Sequence, residues 1–248
     1  MKIGFFGDSF CNHESTAHSD KNGYETYIRQ VKNHYNADII NTGHGGSSIW
    51  DLYLLQLKPL IDKNEIPDVT VCVWTSYGRL FHRVTRGIHY SAGLEGYNHK
   101  KAEHFKKLLP ELATNFFKKE VWDAAQAFYL NLYDTEKEEL EHVSFIQYLD
   151  NNVFSNWPTN KKLIHLWSFG KYNEDTSVPA EYPHTFKNGV ELRPPLFYIS
   201  AKEGWKNYPI IDDRANHLGT QESNNIVANA IIKAIDNYEP HNLLFTIG

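Results

Sequence analysis

Four polar clusters in this 248-residue chain fall where an apolar run breaks into a turn or meets a helix: Gly7-Asp8-Ser9, Asn41 to Ser48, Thr75-Ser76 with Arg79, and Asp212-Asp213 with His217. Together they hold the parts of nucleophilic acyl transfer. A serine hydroxyl is a poor nucleophile near neutral pH. It needs a base to take its proton, a carboxylate to orient that base, and donors for the oxyanion that develops. Ser9 can be the nucleophile and His217 the base, with Asp213 or Asp212 as the acid. Taken singly, each cluster has a plain explanation. Gly-Asp-Ser is an ordinary turn composition, "NTGHGGSS" could be a tight turn with a helix cap, and His217 is one of 13 histidines. The catalytic reading rests on their combination.

The elements that must position these clusters follow from periodicity. Residues 2–6 (KIGFF) read as a buried strand, 24–35 as an amphipathic helix with Tyr24, Tyr27, Ile28 and Val31 on one side, and 37–43 (ADIINTG) as a second strand. Ser48 with Asp51 forms a capping box, opening a helix whose apolar positions include Ile49, Leu52, Tyr53, Leu57, Leu60 and Ile61. Residues 67–74 (PDVTVCVW) make a third strand. This β-α-β-α-β order implies right-handed crossovers, a parallel sheet and the α/β layered class. Residues 99–152 read as a helical insertion, with Thr135 and Glu138 as a second capping box. Residues 161–169 return to a strand. The polar stretch from Gly170 to Pro195 reads as a binding loop or lid, and a helix over 221–238 closes the pattern. Ligands of open parallel sheets bind beyond the carboxyl ends of the strands, where the four clusters fall. Asp8, His44, Thr75 and Arg79 are therefore candidate substrate contacts.

The quoted motifs and their order resemble the SGNH (GDSL) hydrolase superfamily. "FFGDSF" is similar to its first block, "NTGHGGSS" to its second and "DDRANHLGTQESNNIVANAI" to its last. The resemblance implies a flavodoxin-like, three-layer α/β/α sandwich, a single domain over 1–248 carrying the insertion. It implies Ser9 as nucleophile, His217 as general base and Asp213 as its acid. The backbone N–H groups of Ser9 and Gly46 would form an oxyanion hole. Two features depart from the pattern. The third block, "VWTSYGR", lacks the oxyanion-binding Asn, and Ser76 falls near its place. Asp213 lies four residues before His217 rather than three.

The implied activity is hydrolysis of carboxylic esters, with O-acetyl groups on carbohydrate favoured and no metal or organic cofactor required. The same site used with an alcohol acceptor would make an acyltransferase, and without catalysis a glycan- or protein-binding module. A nucleotide site at Gly43 to Ser48 is disfavoured by the absence of a P-loop or dinucleotide fingerprint. The net charge of −5 argues against nucleic acid as a partner. Cys11 and Cys72 read as free thiols. Without a signal-like or membrane-spanning stretch, the expectation is a cytoplasmic location and no membrane insertion. The scattered histidines, His13 and His44 among them, do not form a metal-binding pair on any expected helix.

Overall fold

The structure is a computed structural model that describes residues 1–11, 25–82, 87–98, 118–169, 182–202, 217–218, 220–240 and 245–246. Strand β1 (Lys2–Gly7) runs into a 3-10 turn, Ser9–Cys11. Helix α1 (Tyr27–Tyr35) and strand β2 (Asp38–Asn41) follow. A helical run then comprises α2 (Ile49–Asp51), a π-helical segment (Leu52–Leu57) and α3 (Lys58–Asp62). Beyond β3 (Val69–Trp74) lie a hairpin of β4 (Arg79–Leu80) and β5 (Ile88–His89), then α4 (Tyr90–Glu95), α5 (Lys119–Asn131) and α6 (Thr135–Asn152). The remainder is β6 (Lys162–Trp167), β7 (Val190–Arg193), α7 (Leu196–Lys202), α8 (Gln221–Asp236) and β8 (Phe245–Thr246).

Six strands form one sheet in the order β2-β1-β3-β6-β7-β8, with every neighbouring pair parallel. The two-residue period of a strand sends successive side chains to opposite faces, and both faces are covered. Val69, Val71 and Val73 join Phe5, Ile164 and Leu192 in a core with α1 and α8. Cys72 and Trp74 join Phe6, Leu163 and Trp167 in a second core under the 49–62 helical run and α6. The result is the expected three-layer α/β/α sandwich. Cys11 and Cys72 are buried free thiols.

Local chemistry explains where the elements begin and end. The Ser48–Asp51 capping box is formed in both directions. At α6 the cap is Asp134, whose side chain accepts from the Lys137 N–H at 2.8 Å, rather than Thr135. Strand β2 stops at Asn41 because its Oδ1 accepts from the Gly43 N–H at 3.0 Å and turns the chain. The π-helical segment precedes Pro59, which has no N–H to continue an α-helical ladder. The stretch expected to be a loop over 170–195 contains β7. Glu191 disguises it, since a buried acid in a strand reads as loop; here its carboxylate is paired with Arg193 Nε at 2.8 Å and accepts from Trp167 Nε1 at 3.0 Å. Residues 170–181 of that stretch, like 99–117 of the expected insertion, lie outside the described residues. Residues 119–131 and 135–152 are helical as the pattern implied. Among the described residues, no helix is long and apolar enough to cross a membrane.

Candidate active site

The order β2-β1-β3 places a topological switch point between β1 and β3, the position beyond whose carboxyl ends such sheets bind ligands. Ser9 opens the 3-10 turn there and is partly buried. Its turn is fastened from three sides. Asp8, fully buried, accepts from the Phe10 N–H at 3.1 Å and from Ser168 Oγ at 2.7 Å. The Cys11 N–H donates to the Asp8 carbonyl at 3.1 Å. Gln56, buried in the π-helical segment, grips the Gly7 peptide groups with both ends of its amide: Oε1 accepts from Gly7 N–H at 2.8 Å, and Nε2 donates to Gly7 C=O at 3.0 Å. Gly7 itself is required, because a Cβ there would strike the Val73 backbone carbonyl of the neighbouring strand.

The glycine loop after β2 lies against this turn. The His44 N–H donates to the Gly7 carbonyl at 3.3 Å, and the Ser47 hydroxyl donates to the His44 carbonyl at 3.0 Å. Gly45 is adjacent to the nucleophile candidate, since a Cβ built on it would lie 3.9 Å from Ser9 Cβ. Gly46 has φ +82°, a conformation glycine adopts without steric cost. His44 is buried, with Nδ1 3.1 Å from the Thr42 carbonyl.

A buried chain of hydrogen bonds ties the Ser9 turn to the segment carrying His217. The Tyr27 hydroxyl donates to the Phe10 carbonyl at 2.9 Å, and the Tyr27 N–H donates to Asn224 Oδ1 at 3.0 Å. Asn224 Nδ2 donates in turn to the Leu218 carbonyl at 2.8 Å. Phe10, Tyr27, Asn224 and Leu218 are all fully buried. The His217 ring centroid lies 5.1 Å from that of Phe10, the residue after Ser9. His217 also has φ +54°, the left-handed region that non-glycine residues enter at a cost and that clusters at functional sites. Asp212 and Asp213 lie outside the described residues, as does His13.

At the end of β3, Thr75 is buried and Ser76 is half-buried. The Arg79 side chain reaches back under the site. Its guanidinium lies 3.6 Å from Asp8 Oδ2 and donates to the Ser47 carbonyl at 2.9 Å. Burial depresses its pKa, opposed by the nearby charges of Asp8 and Asp51. Arg79 is held partly by α5: the Tyr129 hydroxyl accepts from the Leu80 N–H at 2.9 Å and donates to the Ile88 carbonyl at 2.5 Å, fixing the hairpin. His142 of α6 lies by Arg79, and burial together with that positive charge pushes its pKa down to about 3, so the imidazole is neutral at pH 7.

The fold thus brings Ser9, the Gly45–Gly46 loop and Arg79 to one switch point and hydrogen-bonds the His217 segment to the same turn. It gives Asp8 no exposed surface. The Asp8 carboxylate faces Ser168 and Arg79. Three positioning residues were missed from sequence. Ser168 follows β6 and obeys the same strand-end rule that flagged the other clusters. Gln56 and His142 are polar residues interrupting the buried stripes of their helices, which is the signal that could have found them. Among the described residues, no group of three or more His, Cys, Asp or Glu is placed to hold a metal ion.

No protein-family model and no curated protein matches the chain. A solved structure of a gut microbial diltiazem-metabolizing enzyme aligns with all of this chain and 36% of its own, at 12% identity and a TM-score of 0.32. The chain thus spans about a third of that protein's length.

Proposed function

We propose that this chain is a serine esterase of the SGNH (GDSL) type that removes O-acetyl groups from carbohydrate. The observation that carries the reading is the hydrogen-bonded path Phe10–Tyr27–Asn224–Leu218, which fastens the Ser9 turn and the His217 segment to one another at the β1–β3 switch point. In this mechanism Ser9 Oγ attacks the ester carbonyl while His217 takes its proton. The backbone N–H groups of Ser9 and Gly46, with the Ser76 hydroxyl, receive the oxyanion. His217 then returns the proton to the leaving alcohol, an acetyl-enzyme remains, and water activated by His217 releases acetate. Asp213, or its neighbour Asp212, orients the imidazole. His44 and Thr75 border the site, and Arg79 supports it from below. No step draws on a metal or organic cofactor.

The test is release of p-nitrophenol from p-nitrophenyl acetate by the native protein, Ser9→Ala and His217→Ala, with thermal melts as a control for folding. Each substitution is expected to lower kcat by at least about 10³-fold with the fold intact. Retained turnover in either folded variant would move the chemistry elsewhere. Ser76 in place of the usual Asn favours a second reading, a noncatalytic glycan-binding module, and absence of any Ser9-dependent release from folded native protein would favour it.

A further inference from the structure

The mechanism leaves unused a cleft that opens beside the candidate active site between the end of β3, the start of α2 and the exposed side of α6. Ser76 and Arg79 line it from β3 and the hairpin, Trp50 from α2, and Glu138 and His142 from α6. Two of its side chains carry a buried nitrogen with no hydrogen-bond partner among the described residues, Arg79 Nε and His142 Nε2. The Arg79 side chain is 7% exposed and His142 is 5% exposed. Buried polar nitrogens are normally satisfied, so the pair together asks for a ligand group.

The chemistry of that group follows from the two nitrogens. Arg79 Nε–H only donates. A neutral imidazole Nε2 either donates or accepts, according to tautomer. A hydroxyl satisfies both cases: it accepts from Arg79 and donates to an Nε2 lone pair, or accepts from both nitrogens through its two lone pairs. A carboxylate serves only one tautomer and would also meet Glu138, which lines the same cleft. A cation would meet Arg79. The cavity volume of about 30 Å³ admits one such group rather than a ring.

What lies at the mouth suits the ring. Trp50 is 38% exposed, and its inner face is stacked on Phe145 at a centroid distance of 3.7 Å and 21°. Phe145 is in turn stacked with Tyr148 at 6.4 Å and 7°. Trp50 is thus a braced aromatic plate of the kind that packs against the C–H face of a pyranose. Glu138 and Glu141, both paired with Lys137, add carboxylate acceptors for neighbouring hydroxyls.

We infer that this cleft is the alcohol-side subsite for a neutral sugar, with one ring hydroxyl inserted between Arg79 and His142 and the ring against Trp50. The inference rests on the esterase reading for its place in the reaction. Its physical content is binding, which can be measured separately. The first experiment compares hydrolysis of acetylated xylo-oligosaccharide with that of ethyl acetate, an ester without a ring, in native protein and Trp50→Ala. The ratio of the two kcat/KM values is expected to fall about tenfold in Trp50→Ala, the loss of one aromatic contact, through KM. An unchanged ratio overturns the subsite. If the native protein hydrolyses neither ester, the esterase reading has failed, and calorimetric titration with unacetylated xylo-oligosaccharide decides the subsite alone. Binding by native protein that weakens about tenfold in both Trp50→Ala and His142→Leu, each shown to be folded, supports it. No binding to native protein, or equal binding by the variants, overturns it.

Discussion

Two polar regions of this molecule hold buried polar atoms and differ in how completely these are satisfied. At the β6–β7 side, Asp150 of α6 accepts from His184 Nε2, the Lys187 and Asn188 backbone N–H groups and Asn188 Nδ2, at 2.8 to 3.2 Å. Glu191 accepts from Trp167, Phe186 and Arg193. His165 uses both ring nitrogens, accepting from Trp74 Nε1 at 3.0 Å and donating to the Asn188 carbonyl at 2.9 Å. At the β1–β3 strand ends the opposite holds. Among the described residues, Thr75 Oγ1, Arg79 Nε, Asn41 Nδ2 at the end of β2 and His142 Nε2 on the neighbouring α6 are buried without hydrogen-bond partners, and Asp8 Oδ2 meets Arg79 only at 3.6 Å. A closed network rigidifies a fold, whereas orphaned groups cost free energy unless something supplies their partners. The difference is the physical ground on which the proposed function reads the second region as the one that receives a ligand.

The sharpest way to break this contrast is to cut the closed network. Asp150→Ala removes the acceptor of four hydrogen bonds and is expected to cost about 3 kcal/mol of stability. Ser9-dependent turnover of the remaining folded protein should persist. Chemical denaturation and assays at low temperature check both halves; loss of turnover from protein shown to be folded would join the two regions into one functional unit.

Smaller in free energy, but aimed at the open region, is Ser76→Ala. If the Ser76 hydroxyl meets the oxyanion only in the transition state, kcat should fall by about tenfold or more with KM little changed. A rise in KM alone would make Ser76 a ground-state contact instead.

Proton linkage sharpens the comparison further, because each region contains a buried histidine whose pKa is depressed. Burial lowers the pKa of both His142 and His165 from 6.5 to about 3. Between those values the unfolded chain binds more protons than the folded one, so stability falls as pH drops from 6.5 toward 3. Each imidazole contributes up to about 1.4 kcal/mol per pH unit. Asp150, whose hydrogen bonds to His184, Lys187 and Asn188 outweigh burial and lower its pKa from 3.8 to about 2, adds to the loss only below 3.8. Urea melts from pH 7.5 to 5 should show this decline, and His142→Leu should reduce its slope by about half. A flat profile would mean that these imidazoles can be protonated in place. The smallest effect is expected for Thr75→Val, which replaces an unpartnered buried hydroxyl with a methyl of the same shape. Stability should be unchanged or higher, by up to about 1 kcal/mol, and a clear loss would reveal a hydrogen bond to Thr75 Oγ1.

Much of this was legible in the chain itself. Strands β1 and β3, the capping box at Ser48 and the helix over 221–236 follow from local periodicity and capping, which depend on neighbours a few residues apart. So did the placing of Ser9, Gly46, Ser76 and Arg79 at strand ends, since an alternating β-α order already says where a parallel sheet collects its loops. Strand β7 was hidden, because a glutamate inside a strand looks exposed until Trp167 is brought beside it from β6. Gln56 gripping Gly7, Ser168 and Arg79 bracketing Asp8, and Tyr27 joining Phe10 to Asn224 were decided only by the tertiary structure. Each pairs groups that are remote in sequence or lie on different elements, and no local pattern encodes a hydrogen bond whose partner is chosen by how layers pack.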